Sequence, residues 1–122
     1  MSDVKKTLVL GASPKSSQYS HMAIQKLLTA GHPVEAIGRS TFELDGVHVK
    51  TEKENFNDID TVTMYLNSER QKEYEEYIIA LHPKRIIFNP GAENHAFAEK
   101  ARAAGIETME ACTLVMLGTG QY

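Results

Sequence analysis

The stretch TLVLGASPKSSQYS, residues 7–20, decides the fold. Thr7 to Leu10 is a continuous apolar and β-branched run that stops at a glycine, a pattern typical of a strand buried on both faces. Apolar residues then recur at spacings of three and four from Tyr19 to Ala30, and Gly31 supplies a C-terminal stop, so a helix follows the strand. Pro33 to Ile37 is a second short apolar run. A strand, a helix and a strand within about thirty residues favour a right-handed parallel crossover.

The rest of the sequence continues this alternation. Further strands are predicted from Ile59 to Leu66, Arg85 to Phe88 and Ile106 to Met109, and further helices from Ser68 to Leu81 and Ala92 to Ala104. The stretch from Arg39 to Asn57 is polar and rich in turn-forming pairs, Asp45-Gly46 being the clearest, and is assigned no core element, although Val47 to Val49 could form a short extended piece. Gly118 to Tyr122 is expected to fray. Five strands and three helices in this order predict an α/β fold with a Rossmann-like, doubly wound, mainly parallel five-stranded sheet. Ligands of such sheets bind at the carboxyl ends of the strands, where the strand order reverses.

Length and charge limit the classes of protein that fit. The chain has 122 residues, which suits a single domain over residues 1–122. Its 13 Lys and Arg are dispersed and outnumbered by 16 Asp and Glu, so a nucleic-acid partner is not expected. The apolar runs are too short to span a bilayer, and the N-terminus lacks an apolar signal segment. We therefore expect a cytoplasmic protein that does not bind a membrane.

Cysteine and histidine patterns predict neither a disulfide nor a metal site. The single cysteine, Cys112, is followed by apolar residues and is expected to be a buried, inert thiol. The five histidines show no metal-binding motif. Tyr74 and Tyr77 have the helical spacing of core residues. Because no nucleophile lies near a base at the predicted ligand edge, no catalytic residue and no enzyme activity are predicted.

The first loop, from Gly11 to Gln18, is the strongest candidate for a ligand site. It leads into a helix whose free N–H groups and dipole favour an anion, so a phosphate fits there. The loop lacks both the GxGxxG and the GxxxxGK[ST] motifs. The alternative is an ordinary serine-rich connection in which Ser20 only caps the helix.

Two further loops follow predicted strands. Arg39 comes directly after the second strand, where an arginine suits a ribose phosphate, although a solvated surface charge explains it as well. Asn89-Pro90-Gly91 ends a central strand and is either part of the site or only a turn.

Several stretches carry a family resemblance. They are Leu8 to Pro14, Tyr19-Ser20, Ala36 to Gly38, Phe88 to Asn94, Ala103 to Glu107 and Glu110 to Thr113. In this order they resemble the small stand-alone CoA-binding proteins, which are similar to the N-terminal CoA-binding domain of the succinyl-CoA synthetase α-subunit. Lys15 to Gln18 stand where that family usually has Asn-Pro-x-Arg, and Gly38-Arg39-Ser40 stand where it has Asn-Pro.

The resemblance implies a Rossmann-like sheet that binds coenzyme A or an acyl-CoA and has no ligase activity. It also implies roles for individual residues. Gly11, Ala12, Ser13 and Pro14 would wrap the phosphates, Ser20 would cap the helix that faces them, Arg39 would stand near the ribose 3′-phosphate, Leu66 and Asn67 would flank the adenine or pantetheine, and Asn89, Pro90 and Gly91 would form the far side of the cleft.

Our interpretation is a small, non-catalytic module that binds a nucleotide ligand, CoA or an acyl-CoA. An NADP-binding, oxidoreductase-like protein would also use Arg39, on a 2′-phosphate, but the missing GxGxxG counts against it. A ligand-free interaction or scaffold domain would instead pack its apolar tail, Leu114 to Leu117, on a partner. A protein partner or a homodimer stays open.

Overall fold

Seven strands and five α-helices make up the fold in the computed structural model, which describes residues 4–122. The strands are β1 (Thr7–Ala12), β2 (Val34–Gly38), β3 (Phe42–Leu44), β4 (Val47–Val49), β5 (Thr61–Met64), β6 (Arg85–Phe88) and β7 (Glu107–Glu110). The helices are α1 (Tyr19–Thr29), α2 (Ser68–Gln71), α3 (Glu75–Leu81), α4 (His95–Ala103) and α5 (Thr113–Gly118), with a 3-10 turn at Lys72–Tyr74 between α2 and α3.

Five of the strands form one parallel sheet in the order β2-β1-β5-β6-β7. Strand β1 pairs with β2 on one side and with β5 on the other, so Thr7 lies opposite both Val34 and Thr61. The strand order reverses between β1 and β5, which is the place where α/β sheets open a crevice for ligands. The predicted Rossmann-like fold class is confirmed.

Apolar side chains cover both faces of the sheet because its strands are buried between layers of helices. On one face, Val9 and Ala36 pack with Ile24 and Leu27 of α1. On the other face, the core contains residues of β1, β5, β6, α3 and α4: Leu8, Leu10, Val62, Met64, Ile78, Ile86, Phe88, Phe97 and Ala101. Helices on both faces make the sheet doubly wound.

The stretch from Arg39 to Asn57 contributes to the core, so the prediction that it holds no core element was wrong. Strands β3 and β4 form an antiparallel hairpin, and Val47 and Val49 are buried. The Lys50 N–H donates to the Ala36 carbonyl at 3.1 Å, and the Gly38 N–H donates to the Lys50 carbonyl at 2.8 Å. These main-chain bonds fix the hairpin beside the end of β2. The polar sequence of this stretch does not predict them.

Two predicted helices have different bounds in the structure. The 3-10 turn divides the helix predicted from Ser68 to Leu81. The helix predicted from Ala92 begins at His95, because the Asn94 side chain accepts a hydrogen bond from the Phe97 N–H at 3.1 Å and caps the helix there.

The end of the chain is packed, so the prediction that Gly118 to Tyr122 frays was wrong. The Tyr122 ring lies 4.5 Å from the guanidinium carbon of the buried Arg85, and its hydroxyl is hydrogen-bonded to that of Thr7. The Arg85 Nη2 donates to the Tyr122 main-chain oxygen at 2.9 Å. The segment after α5 therefore returns to the amino-terminal ends of β1 and β6.

In the described part of the chain, no helix is long and apolar enough to cross a membrane.

We predict that Tyr122→Ala lowers the free energy of unfolding by about 1–3 kcal/mol, because it removes a cation–π contact and a hydrogen bond. Tyr122→Phe keeps the ring over Arg85 and is expected to cost about 1 kcal/mol. Urea unfolding followed by circular dichroism measures both changes. Identical midpoints for Tyr122→Ala and the wild type would contradict the packing described for this segment.

Candidate functional site

An open cleft of about 470 Å³ lies at the carboxyl ends of the parallel strands. The segments after β1, β2, β5 and β6 meet there, at the reversal of strand order. The residues that line it are Gly11, Ala12, Ser13, Pro14, Gln18, Ile37, Gly38, Arg39, Tyr65, Leu66, Asn67, Arg70, Tyr74, Pro90 and Gly91. The structure thus brings together nine of the residues predicted from the sequence: Gly11, Ala12, Ser13, Pro14, Arg39, Leu66, Asn67, Pro90 and Gly91.

Two glycines let the main chain approach closely at the centre of the cleft. A Cβ at position 38 would lie 2.3 Å from the Ala12 carbonyl oxygen, so only glycine fits there. Gly11 has a φ of +96°, and a Cβ there would lie 3.2 Å from the Tyr65 Cβ. The pairing of β1 with β2 is irregular between Leu10 and Ala12. At the point where the chain leaves β1, the loop is therefore closely packed between the end of β2 and the segment after β5.

The amino-terminal end of α1 lies at this loop. Gln18 is the N-cap residue, and the Gln18 carbonyl accepts from the His21 N–H at 3.1 Å. Within residues 4–122, the Gln18 side chain makes no capping hydrogen bond, and the His21 and Met22 N–H groups donate to the Gln18 carbonyl, so the N–H groups of Tyr19 and Ser20 are the ones left without a partner. Main-chain donors and the helix dipole together favour an anion at this end.

Ser20 was predicted to cap α1 and is instead its second residue, buried in the structure and outside the lining of the cleft. The Gln18 N–H donates to the Lys15 carbonyl at 3.0 Å, and this turn brings Gln18 to the N-cap position.

His21 supports the loop from within the protein. The imidazole is buried, and its Nδ1 lies 2.9 Å from the Ser13 carbonyl oxygen. Since a carbonyl oxygen only accepts, Nδ1 carries the proton and donates. Sequence reasoning gave His21 no role because this hydrogen bond spans eight residues of an irregular loop.

Two guanidinium groups line the cleft. Arg39 is exposed in the segment after β2, and Arg70 is half-buried in α2. In the described part of the chain, neither one forms an ion pair with a carboxylate. The cleft therefore carries positive charge that the protein itself leaves uncompensated.

Asn89, predicted to flank the ligand, is buried and lies outside the lining of the cleft. Its Nδ2 donates to the Thr63 hydroxyl at 2.8 Å and to the Met64 carbonyl at 2.9 Å. Its Oδ1 accepts from the Thr113 N–H at 2.9 Å. The Asn89 amide is thus engaged in joining β5, β6 and the start of α5, while Pro90 and Gly91 extend from it into the cleft.

Gln71 joins two walls of the cleft. Its fully buried Nε2 donates to the Leu66 carbonyl at 2.8 Å and to the Ala92 carbonyl at 2.7 Å. Its Oε1 accepts from the Asn94 Nδ2 at 2.9 Å. The amide therefore fixes the segment after β5 against the segment after β6. Its sequence neighbours give no sign of this role because the Ala92 carbonyl and the Asn94 amide come from the segment after β6.

Two tyrosines in the lining also belong to the core. Tyr74 was predicted as a packing residue, and it packs in the core and also borders the cleft. Burial raises the pKa of the Tyr65 phenol to about 12. Cys112, predicted to be buried, is half-buried at the N-cap position of α5, and it lies outside the cleft.

Comparison with known protein families decides the assignment. The model of the family described as CoA binding domain matches residues 5–118. The chain belongs to this family. The family resemblance stated from the sequence is confirmed. No curated protein matches the sequence.

Solved structures share the fold of this CoA binding domain. A crystal structure of an uncharacterized protein is 40% identical, with a TM-score of 0.96, over 99% of this chain and 100% of that one. A hypothetical protein from Pyrococcus horikoshii OT3 is 24% identical, with a TM-score of 0.85, over 95% of this chain and 83% of that one. The dinucleotide forming acetyl-coenzyme A synthetase 1 from Ca. Korarchaeum cryptofilum, in complex with phosphate and ADP, is 16% identical, with a TM-score of 0.72, over 88% of this chain and 26% of that one.

We predict that Gln71→Glu lowers the free energy of unfolding by about 1–3 kcal/mol, because it removes the N–H groups that donate to the Leu66 and Ala92 carbonyls and keeps the side-chain size. The matched control is Gln121→Glu, the same change at an exposed residue, which is expected to shift stability by less than about 0.5 kcal/mol. Urea unfolding measures both. Equal small effects at the two positions would show that Gln71 does not hold the two walls together.

Proposed function

We propose that this chain binds coenzyme A or an acyl-CoA in the cleft at the carboxyl ends of its strands, as a single non-catalytic domain. The observation that carries the proposal is the cleft itself. Its centre is the segment from Gly11 to Pro14, beside the uncapped start of α1, in a chain of the CoA binding domain family. CoA would supply the anionic groups and the thiol or thioester, and the residues below would hold it.

The segment from Gly11 to Pro14 suits the diphosphate. The close approach of the main chain at Gly11 and Gly38 leaves this segment with no bulky side chain at its base. The free N–H groups of α1 are donors with a favourable dipole. His21 holds the Ser13 carbonyl from behind, which keeps this oxygen engaged and away from a phosphate. The donor set therefore fits a phosphate group.

Arg39 suits the ribose 3′-phosphate. It extends from the end of β2, next to the central loop, and has no carboxylate partner among residues 4–122. A guanidinium group offers two parallel N–H donors to a phosphate. The opposite part of the cleft, with Leu66, Asn67, Pro90 and Gly91, mixes apolar and amide groups and suits adenine or pantetheine.

The surroundings of the cleft support a binding role without catalysis. The nearest acid in the loop after β6, Glu93, accepts a hydrogen bond from the Gly91 N–H at 3.0 Å and so stabilises the turn. The Nε2 of His95 faces the Glu110 carboxylate at 3.8 Å. Neither side chain lines the cleft, whereas thioester chemistry requires a base or nucleophile within hydrogen-bond reach of the reacting carbon.

We predict that CoA raises the melting temperature of the protein and that NADP does not. A ligand at about 100 times its Kd stabilises the native state by roughly 2.7 kcal/mol, which corresponds to a shift of several degrees for a domain of this size. Thermal unfolding with CoA, acetyl-CoA, NADP and no ligand measures this order. A larger shift with NADP would favour the oxidoreductase-like alternative, and no shift with any of them would favour the scaffold alternative.

We predict that the purified protein does not hydrolyse acyl-CoA. Incubation with acetyl-CoA and a longer acyl-CoA, with free thiol followed over hours, is expected to give the rate of buffer alone. Thioester loss well above that rate, abolished by Glu93→Gln or His95→Ala, would replace the binding role with a thioesterase.

A further inference from the structure

Arg70 is a second unpaired guanidinium group in the cleft, and the ligand roles above leave it without a partner. Of the carboxylates near it in sequence, Glu69 pairs with Lys72 at 3.1 Å and Glu75 with Lys100 at 3.0 Å, and Glu73, three residues on, forms no ion pair with Arg70. Arg70 is half-buried in the wall of the cleft. A guanidinium group in such a place loses hydration, which an anionic ligand group compensates.

The sheet order fixes the side of the cleft on which Arg70 lies. Because β1 runs between β2 and β5, the segment from Gly11 to Pro14 has Arg39 on its β2 side and Arg70 on its β5 side. The wall that carries Arg70 is packed directly against the central loop, since a Cβ at Gly11 would lie 3.2 Å from Tyr65 and 3.3 Å from Leu66. The Asn67 side chain accepts from the Arg70 N–H at 2.9 Å and fixes the start of α2 on this wall.

We propose that Arg70 binds the diphosphate of the ligand, from the side opposite to Arg39, and is a specificity-determining residue for diphosphate-containing ligands. This inference rests on the proposed function. CoA carries two separate anionic groups, the 3′-phosphate and the diphosphate. Arg39 is assigned to the 3′-phosphate, and the central loop lies under the diphosphate. Arg70 is then the cation in the lining of the cleft that neutralises the diphosphate. NADP also has a diphosphate, so Arg70 selects for this group, and the preference for CoA depends on Arg39 and the rest of the cleft.

Two ligands and three variants test the assignment by calorimetry. Arg70→Met is expected to weaken the binding of CoA and of dephospho-CoA by the same factor, about ten- to a hundredfold, because both contain the diphosphate. Arg39→Met is expected to weaken the binding of CoA by a similar factor and to leave the affinity for dephospho-CoA nearly unchanged. Lys72→Met is the charge-matched control, since it removes a cation two residues from Arg70 that lies outside the cleft.

Phosphorus NMR of the bound ligand separates direct contact from a change in folding. Arg70→Met is expected to shift the diphosphate resonances of bound CoA and leave the 3′-phosphate resonance in place, with partial recovery of affinity in Arg70→Lys. If the wild type binds CoA and Arg70→Met binds it equally well, or loses affinity for CoA alone, the role of Arg70 is refuted and the proposed function stands. If the wild type binds neither ligand, the proposed function itself fails.

Discussion

The Ala12 carbonyl oxygen occupies the space that any side chain at position 38 would need, and the cleft depends on this contact between β1 and β2. The close approach brings the end of β2, and with it Arg39, beside the loop that follows β1. At the same residue, the Gly38 N–H donates to the Lys50 carbonyl, so the hairpin docks at this point. One steric constraint therefore sets both the site and the adjoining edge of the sheet.

Two buried amides hold the other walls. Asn89 joins β5, β6 and the start of α5, and Gln71 joins the segments after β5 and β6. Both side chains use their donors and acceptors inside the protein, so they build the cleft without facing it. A buried amide that loses a hydrogen-bond partner costs more free energy than an exposed one. These hydrogen bonds therefore hold the walls of the cleft at a defined separation before any ligand binds.

Sequence patterns predicted the elements that local chemistry determines. The strands of the sheet follow from apolar runs, and Gly11 to Pro14 follows from the break after β1. The Asp45-Gly46 turn and the extended piece at Val47 to Val49 follow from the sequence, but the docking of the hairpin on the sheet does not, because it comes from main-chain bonds between Lys50 and β2. The packing of Tyr122 depends on Thr7, 115 residues earlier. Asn89 and Arg70 show the same limit at the site, since only the tertiary structure decides which polar side chain lies inside the protein and which lies in the cleft.

The β3–β4 hairpin makes the two edges of the sheet unequal. At one edge, β4 lies beside the end of β2 and occupies part of its main-chain hydrogen-bonding capacity. At the other edge, β7 pairs with β6, and its outer side carries no further strand within residues 4–122. Strand β7 begins and ends with an exposed glutamate, Glu107 and Glu110. Because side chains alternate along a strand, each face of β7 carries one of these charged residues, and exposed charges on an edge strand oppose the addition of a further strand.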